Sequence, residues 1–87
     1  MNIFVGNLHA LTTAGQLSGL FYRFGRVISS KIAMDFNTGQ SLGFGFIVMD
    51  THSGATAIQQ LNNRYYLNTY LEVNETAHQY ILGVPIK

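Results

Sequence analysis

The sequence predicts an α+β domain in which two helices cover one face of a four-stranded antiparallel sheet. Four segments alternate apolar residues with others at the spacing of a strand, and two segments repeat apolar residues every three or four positions, as helices do. These segments follow the order β-α-β-β-α-β along the chain. That order is typical of the ferredoxin-like βαββαβ sandwich, which leaves the second face of its sheet open.

The first strand and helix occupy the N-terminal part of the chain. Residues 3–8 alternate as a strand does, and Thr12 or Thr13 could then N-cap a helix. The helix is predicted over residues 14–24 from its apolar stripe. Gly25 is expected to stop it, because glycine readily takes the left-handed conformation that ends helices.

The second and third strands are joined by a loop rich in turn residues. They are predicted over residues 27–34 and 42–49, with the loop at residues 35–40. Gly43 and Gly45 stand at alternate positions of the third strand. Their missing side chains would let a helix approach that face of the strand closely.

The second helix and last strand complete the predicted domain over residues 1–76. The helix can begin at Thr51 or Ser53 and is expected to end at residues 62–63. The strand is predicted over residues 70–75, with alternate side chains turned toward the core and toward the open face. Residues 77–87 form a tail that is unusually apolar for a disordered end.

Three phenylalanines fall on the predicted open face of the sheet. Phe4 belongs to the first strand, and Phe44 and Phe46 belong to the third. Exposed rings on a sheet are unfavourable unless a flat partner stacks on them. A nucleic-acid base is the obvious flat partner.

The composition limits the classes of function. The chain has 87 residues, no cysteine, and five basic against four acidic residues, with 10% charged residues overall. Long-range attraction to phosphate is therefore expected to be weak, so nucleic-acid binding must depend on stacking. No apolar run is long enough for a membrane span. The N-terminus lacks the pattern of a secretory signal, so we expect a cytoplasmic location, or a nuclear one in a eukaryote.

Neither catalysis nor metal binding is predicted. His9, His52 and His78 are spread over separate segments, and the chain has no cysteine that could join them in a metal site. Asp35 and Asp50 resemble turn or capping residues rather than a general acid/base pair. The sequence offers no nucleophile with a base and an orienting group, so no enzyme activity, cofactor or small-molecule substrate is expected.

Two segments resemble the motifs of the RNA recognition motif family. The run Ile-Phe-Val-Gly-Asn-Leu at residues 3–8 is similar to the family's six-residue motif, and residues 42–49 are similar to its eight-residue motif. The similarity runs from Met1 to about Thr76. It implies a module that binds single-stranded RNA, with single-stranded DNA as a possible second ligand.

The resemblance also implies roles for particular residues. Phe4 and Phe46 would each stack on a base, and Phe44 would pack against the sugars between them. Asn7 would hydrogen-bond a base or hold a loop. The further candidates for RNA contact on the open face are Asn2, Lys31, Tyr70 and Asn74.

Several positions depart from the family pattern and predict weak binding. Leu42 stands where the family has a phosphate-contacting cation, and Met49 replaces the last aromatic of the eight-residue motif. Glu72 occupies an outward position where a basic residue would favour RNA. We therefore expect binding dominated by stacking, with a shallow dependence on salt.

A different class of function uses the same fold. The sheet or the helices could bind a protein partner or a second copy of the chain. In that interpretation Tyr80, Ile81 and Leu82 of the apolar tail would cover Phe4 and Phe46, or would dock on a neighbouring molecule.

Overall fold

The computed structural model describes residues 1–77 and the backbones of residues 80–81 and 84–85. Its elements are, in chain order, β1 (Asn2–Gly6), α1 (Ala14–Tyr22), β2 (Val27–Met34), β3 (Ser41–Met49), α2 (Thr51–Leu61), β4 (Tyr65–Tyr66), β5 (Thr69–Tyr70), β6 (Glu72–Thr76), β7 (Tyr80–Ile81) and β8 (Val84–Pro85). One antiparallel sheet has the strand order β2-β3-β1-β6. The predicted ferredoxin-like βαββαβ fold is confirmed.

Both helices pack on the same face of this sheet. The core combines alternate residues of the strands with apolar residues of α1 and α2. Its most deeply buried members are Ile3, Val5, Leu17, Phe21, Ile47, Met49, Ala57, Leu61, Leu71 and Val73. Because side chains alternate along a strand, the residues between these core positions lie on the opposite face.

The helix α1 is fixed at its start by a capping box. Gln16 N donates to Thr13 Oγ1 (3.1 Å), and Thr13 N donates to Gln16 Oε1 (3.0 Å). The helix ends at Tyr22, two residues earlier than predicted. Gly25 therefore does not stop it. A Cβ atom at Gly25 would instead collide with the side chain of Ser53, so the glycine allows the chain to pass close to α2.

The two glycines of β3 serve different purposes. A Cβ atom at Gly45 would collide with the backbone oxygen of Lys31 and would lie 3.2 Å from Cδ2 of Leu17 in α1. The predicted close approach of a helix therefore holds at Gly45. Gly43 has a φ of +83°, and its carbonyl accepts a hydrogen bond from Leu8 N (2.8 Å). Gly43 is there for its backbone conformation and not for helix packing.

The predicted last strand is divided in two. Thr69–Tyr70 pairs with Tyr65–Tyr66 in a separate hairpin, and only Glu72–Thr76 joins the four-stranded sheet. The turn of the hairpin has positive φ at both Leu67 and Asn68. Two such residues are typical of the tight turn that matches the twist of a two-stranded hairpin.

The helix α2 begins at Thr51, one of the two predicted starting points. Asp50 caps it by accepting from Ser53 N at 3.0 Å. At its other end, Asn62 Oδ1 accepts from Val73 N (3.0 Å) and thereby ties the helix to β6. Neither described helix is long and apolar enough to cross a membrane.

The C-terminal part of the chain contains a short antiparallel pairing of β7 with β8. Its Cα partners are Tyr80 with Pro85 and Ile81 with Val84. The predicted covering of the sheet by the side chains of this tail lies outside the described residues.

Candidate functional site

A row of four side chains crosses the sheet on the face away from the helices. Strand register places Lys31 opposite Phe46, Phe46 opposite Phe4, and Phe4 opposite Asn74. Directly opposed residues of antiparallel strands have side chains on the same face, a few ångströms apart. This row, which we call the platform row (Lys31, Phe46, Phe4 and Asn74), therefore joins all four strands of the sheet and contains four of the predicted candidates.

The three phenylalanines form one cluster, which we call the aromatic platform (Phe4, Phe44 and Phe46). The ring centroids of Phe4 and Phe44 are 5.7 Å apart and their planes differ by 29°. Phe46 lies edge-on to both, with centroids 5.8 Å from Phe4 and 5.9 Å from Phe44. Such contacts stabilise the rings beyond the area they bury, so the platform is held in a defined geometry.

The rings are not equally accessible. Phe4 and Phe44 are half-buried, whereas only 7% of Phe46 is exposed. The expectation of three open rings is therefore wrong for Phe46. Its edge-on contacts with the other two rings cover part of its surface, since each neighbour lies within 6 Å.

The ring of Phe4 lies across Gly6. A Cβ atom at Gly6 would be 2.6 Å from Cε2 and 2.9 Å from Cζ of that ring. Gly6 is therefore part of the site, although sequence reasoning did not single it out. The signal that could have found it is its spacing from Phe4. Residues two positions apart on a strand lie on the same face, so a glycine there leaves room for the aromatic ring.

Lys31 brings a positive charge to the platform. Its side chain is exposed and borders a shallow depression, together with Ser29, Phe46 and Val48. Ser29 and Val48 form part of a second row across the sheet, opposite each other in the register. Neither was among the predicted candidates, although the alternation along β2 and β3 places both on the open face.

Asn2 belongs to this second row. It is paired with Val48 on one side and with Thr76 on the other. Its predicted place on the open face is therefore consistent with the register, as is that of Asn74 beside Phe4. Glu72 also lies on this face, opposite Gly6.

Asn7 and Tyr70 are linked to each other at the end of β1. Asn7 has a φ of +61° and donates from Nδ2 to the carbonyl of Tyr70 (2.8 Å). Of its two predicted roles, the structure shows the holding of a loop. Tyr70 is 64% exposed and stacks edge-on against Tyr65, with centroids 5.1 Å apart. Its predicted position in the four-stranded sheet is wrong, because the hairpin takes it out of that strand.

The two aspartates are a turn residue, Asp35, and a capping residue, Asp50, as predicted. Asp35 accepts from the backbone N of Asn37 (2.8 Å) and of Thr38 (2.9 Å). These bonds hold the pKa of Asp35 below its usual value, and the bond from Thr38 has the largest effect. Hydrogen bonds from Ser53 likewise lower the pKa of Asp50. Among the described residues, no group of three or more histidines, aspartates or glutamates could hold a metal ion.

The arrangement resembles known RNA-binding domains in sequence. The family model for the RNA recognition motif matches residues 3–72. A glycine-rich RNA-binding protein 10 of Brassica napus is 41% identical over 73 residues, which cover 83% of this chain and 43% of that protein. The putative RNA-binding protein RbpA of a Nostoc species is 37% identical over 76 residues, 86% of this chain and 74% of that protein.

Some relatives are much longer than the present chain. It spans 23% of the length of the chloroplastic 29 kDa ribonucleoprotein B of Nicotiana sylvestris, to which it is 38% identical over 68 residues.

Solved structures have the same fold. The crystal structure of RNA-binding protein PG1 superposes with a TM-score of 0.89 at 35% identity and covers 93% of this chain and 99% of that one. The RNA15 domain with bound RNA gives a TM-score of 0.78 at 28% identity, over 92% of this chain and 86% of that one. With a family match over residues 3–72 and four strands and two helices in the matching order, this chain belongs to the RNA recognition motif family.

Proposed function

We propose that the chain binds single-stranded RNA through the aromatic platform. The observation that carries the proposal is the convergence of three phenylalanine rings, with centroids within 6 Å of one another, on the sheet face opposite both helices. Membership of the RNA recognition motif family supports it. So does the likeness to a domain that was solved with bound RNA.

Phe4 is the principal stacking residue in this proposal. It is half-buried, lies on the central strand β1 and is flanked by Phe46 and Asn74 in its row. Phe44 presents a ring within 29° of the same plane, so the two rings form a nearly continuous surface. Phe46 supports them from the side, because its own exposure is too small for a base to lie flat on it. Each stacked base contributes about 1–3 kcal/mol.

The charge distribution supports binding by stacking more than by phosphate contacts. Of the basic residues within 1–77, Lys31 is in the platform row, whereas Arg23 caps the end of α1 and lies over the ring of Phe24 at 5.5 Å. Few phosphates can then be neutralised at the platform. The complex is then stabilised mainly by stacking of the RNA bases on the platform, so a short RNA is long enough to bind.

A ring-removing variant and a matched control test the proposal. Phe4→Leu keeps an apolar side chain on β1 but removes the ring, and Tyr22→Leu makes the same kind of change in α1, where Tyr22 is 63% exposed on the helix side. NMR titration with a short single-stranded RNA should give saturable shifts around the platform. We expect Phe4→Leu to weaken binding about tenfold and Tyr22→Leu to leave it unchanged.

Two outcomes would contradict the proposal. One is the absence of saturable shifts in the wild-type protein with RNA at millimolar concentration. The other is equal affinity for Phe4→Leu and the wild type, with amide spectra that show both folded. A parallel titration with single-stranded DNA of the same sequence tests the second predicted ligand.

The wider setting of the chain remains a prediction. We further propose a non-enzymatic role, a cytoplasmic or nuclear location and self-association through residues 77–87. A chloroplastic relative shows that proteins of this family occur in other compartments as well.

A further inference from the structure

We propose that Glu72 selects the base that stacks on Phe4 and favours guanine. The inference deepens the proposed RNA binding and rests on it. It assigns a specificity-determining role to a residue whose negative charge otherwise only opposes binding to a polyanion.

The position of Glu72 beside the platform follows from Gly6. These two residues are directly opposed in the pairing of β1 with β6. A Cβ atom at Gly6 would be 3.6 Å from Cβ of Glu72 and 2.6 Å from Cε2 of Phe4. Glu72 and the edge of the Phe4 ring therefore both lie close to Gly6, on the same face of the sheet.

The carboxylate of Glu72 is available to a ligand. The residue is exposed, while its neighbours Leu71 and Val73 are 1% and 0% exposed and turn to the core. Within residues 1–77, no hydrogen bond or ion pair engages the Glu72 carboxylate. A base that extends beyond the Phe4 ring on this side would meet an acceptor that has no partner within residues 1–77.

An ionised carboxylate discriminates between bases because it only accepts hydrogen bonds. Guanine offers two adjacent donors on its Watson–Crick edge, N1–H and the N2 amine, which match the two carboxylate oxygens. Cytosine and adenine offer one amine beside an acceptor. Uracil offers N3–H between two carbonyl oxygens, which a carboxylate repels. Guanine is therefore the preferred base at this position, and uracil is the least favoured.

Glu75 provides a matched comparison on the same strand. It is exposed like Glu72, but it is opposed to Ile3, whose side chain is fully buried in the core. Its place in the alternation is thus on the helix side of the sheet. The variants Glu72→Gln and Glu75→Gln change the net charge equally, so any difference between them comes from position. Because only Glu72 lies beside the platform, only Glu72→Gln should alter base preference.

The test uses three RNAs that differ in one base: UUGUU, the same oligomer with inosine for guanine, and UUUUU. Inosine lacks only the N2 amine. By fluorescence anisotropy, the wild type should bind the guanine oligomer about three- to tenfold more tightly than the inosine oligomer. In Glu72→Gln this ratio should fall toward one. In Glu75→Gln it should remain as in the wild type.

Each alternative result has a distinct meaning. If the wild type binds guanine and inosine oligomers equally, or if Glu72→Gln keeps the wild-type ratio, Glu72 does not read the base, although RNA binding stands. If Glu75→Gln lowers the ratio as much as Glu72→Gln, the effect is one of net charge and the inference is wrong. If the wild type binds none of the oligomers, both this inference and the proposed function fail.

Discussion

The ring of Phe4 rests on a residue that has no side chain, Gly6. The two residues are two positions apart on β1, so they share the open face of the sheet. With any other residue at position 6, the Cβ atom would lie within 3 Å of two ring carbons. The orientation of the Phe4 ring thus depends on the missing side chain at position 6.

Gly6→Ala should displace the Phe4 ring without unfolding the protein. Gly6 does not have a positive φ, so its backbone conformation suits alanine. The ring must move away from position 6 to make room for the new methyl group, and we expect RNA affinity to fall about three- to tenfold. NMR shifts of the Phe4 ring protons and anisotropy with a short RNA measure the two effects.

Gly19→Ala is the control for this change. Gly19 is an exposed residue of α1, and a Cβ atom there meets nothing within 4 Å. We expect RNA affinity to be unchanged and stability to rise by about 0.5–1 kcal/mol, because alanine favours the helix. Unaltered Phe4 ring shifts in Gly6→Ala would contradict the role of Gly6.

Gly45→Ala should destabilise the fold itself. The added methyl group would collide with the backbone oxygen of Lys31 and press on Ile32 and on Leu17, each at 3.2 Å. Backbone cannot move aside as a side-chain end can, so we expect a loss of about 1–3 kcal/mol in the free energy of unfolding. Urea denaturation measures it. A loss no larger than that of Gly6→Ala would show that β2 shifts at little cost.

The order of the elements could be predicted because each has a clear periodicity. The apolar stripe that includes Leu17 and Phe21 indicated α1, and both residues are buried as a core stripe requires. The alternation around Phe46 indicated β3, which spans Ser41–Met49. The family resemblance was also confirmed. These properties depend on local spacing, which the sequence records directly.

The details that failed depend on contacts between distant segments. The low exposure of Phe46 could not be read from alternation, which gives a face but not the packing on that face. Tyr70 has the alternation of a sheet residue, but the turn at Leu67 and Asn68 pairs it with Tyr65 instead. Neither turn residue is a glycine, so the usual signal of a two-residue hairpin was missing.

The affinity for RNA should depend only weakly on salt. The platform row contains a single basic residue, Lys31, so about one or two phosphates are neutralised. For single strands the slope of log K against log salt is about −0.7 for each phosphate, which predicts a slope between about −0.5 and −1.5. Titrations over a range of salt concentrations measure it. Lys31→Gln should flatten the slope further, and a slope steeper than about −3 would mean that phosphate contacts dominate.

Stability should fall in acid through two aspartates, Asp35 in its turn and Asp50 at the N-cap of α2. The pKa of Asp50 is lowered by hydrogen bonds from the Ser53 side chain and backbone, and that of Asp35 by bonds from Thr38 and Asn37, both from a usual value of 3.8. A carboxyl whose pKa is lower when folded stabilises the fold above its unfolded pKa, and this contribution is lost as the pH falls through the folded pKa. Urea unfolding between about pH 6 and pH 2.5 should therefore show a decline in the free energy of unfolding that starts near pH 4.

Two variants test the role of these carboxyls. Asp50→Asn keeps a good helix cap but removes the titration, so its decline should be shallower, and Asp35→Asn/Asp50→Asn should give the shallowest. Parallel curves for all three proteins would show that acid acts through other groups.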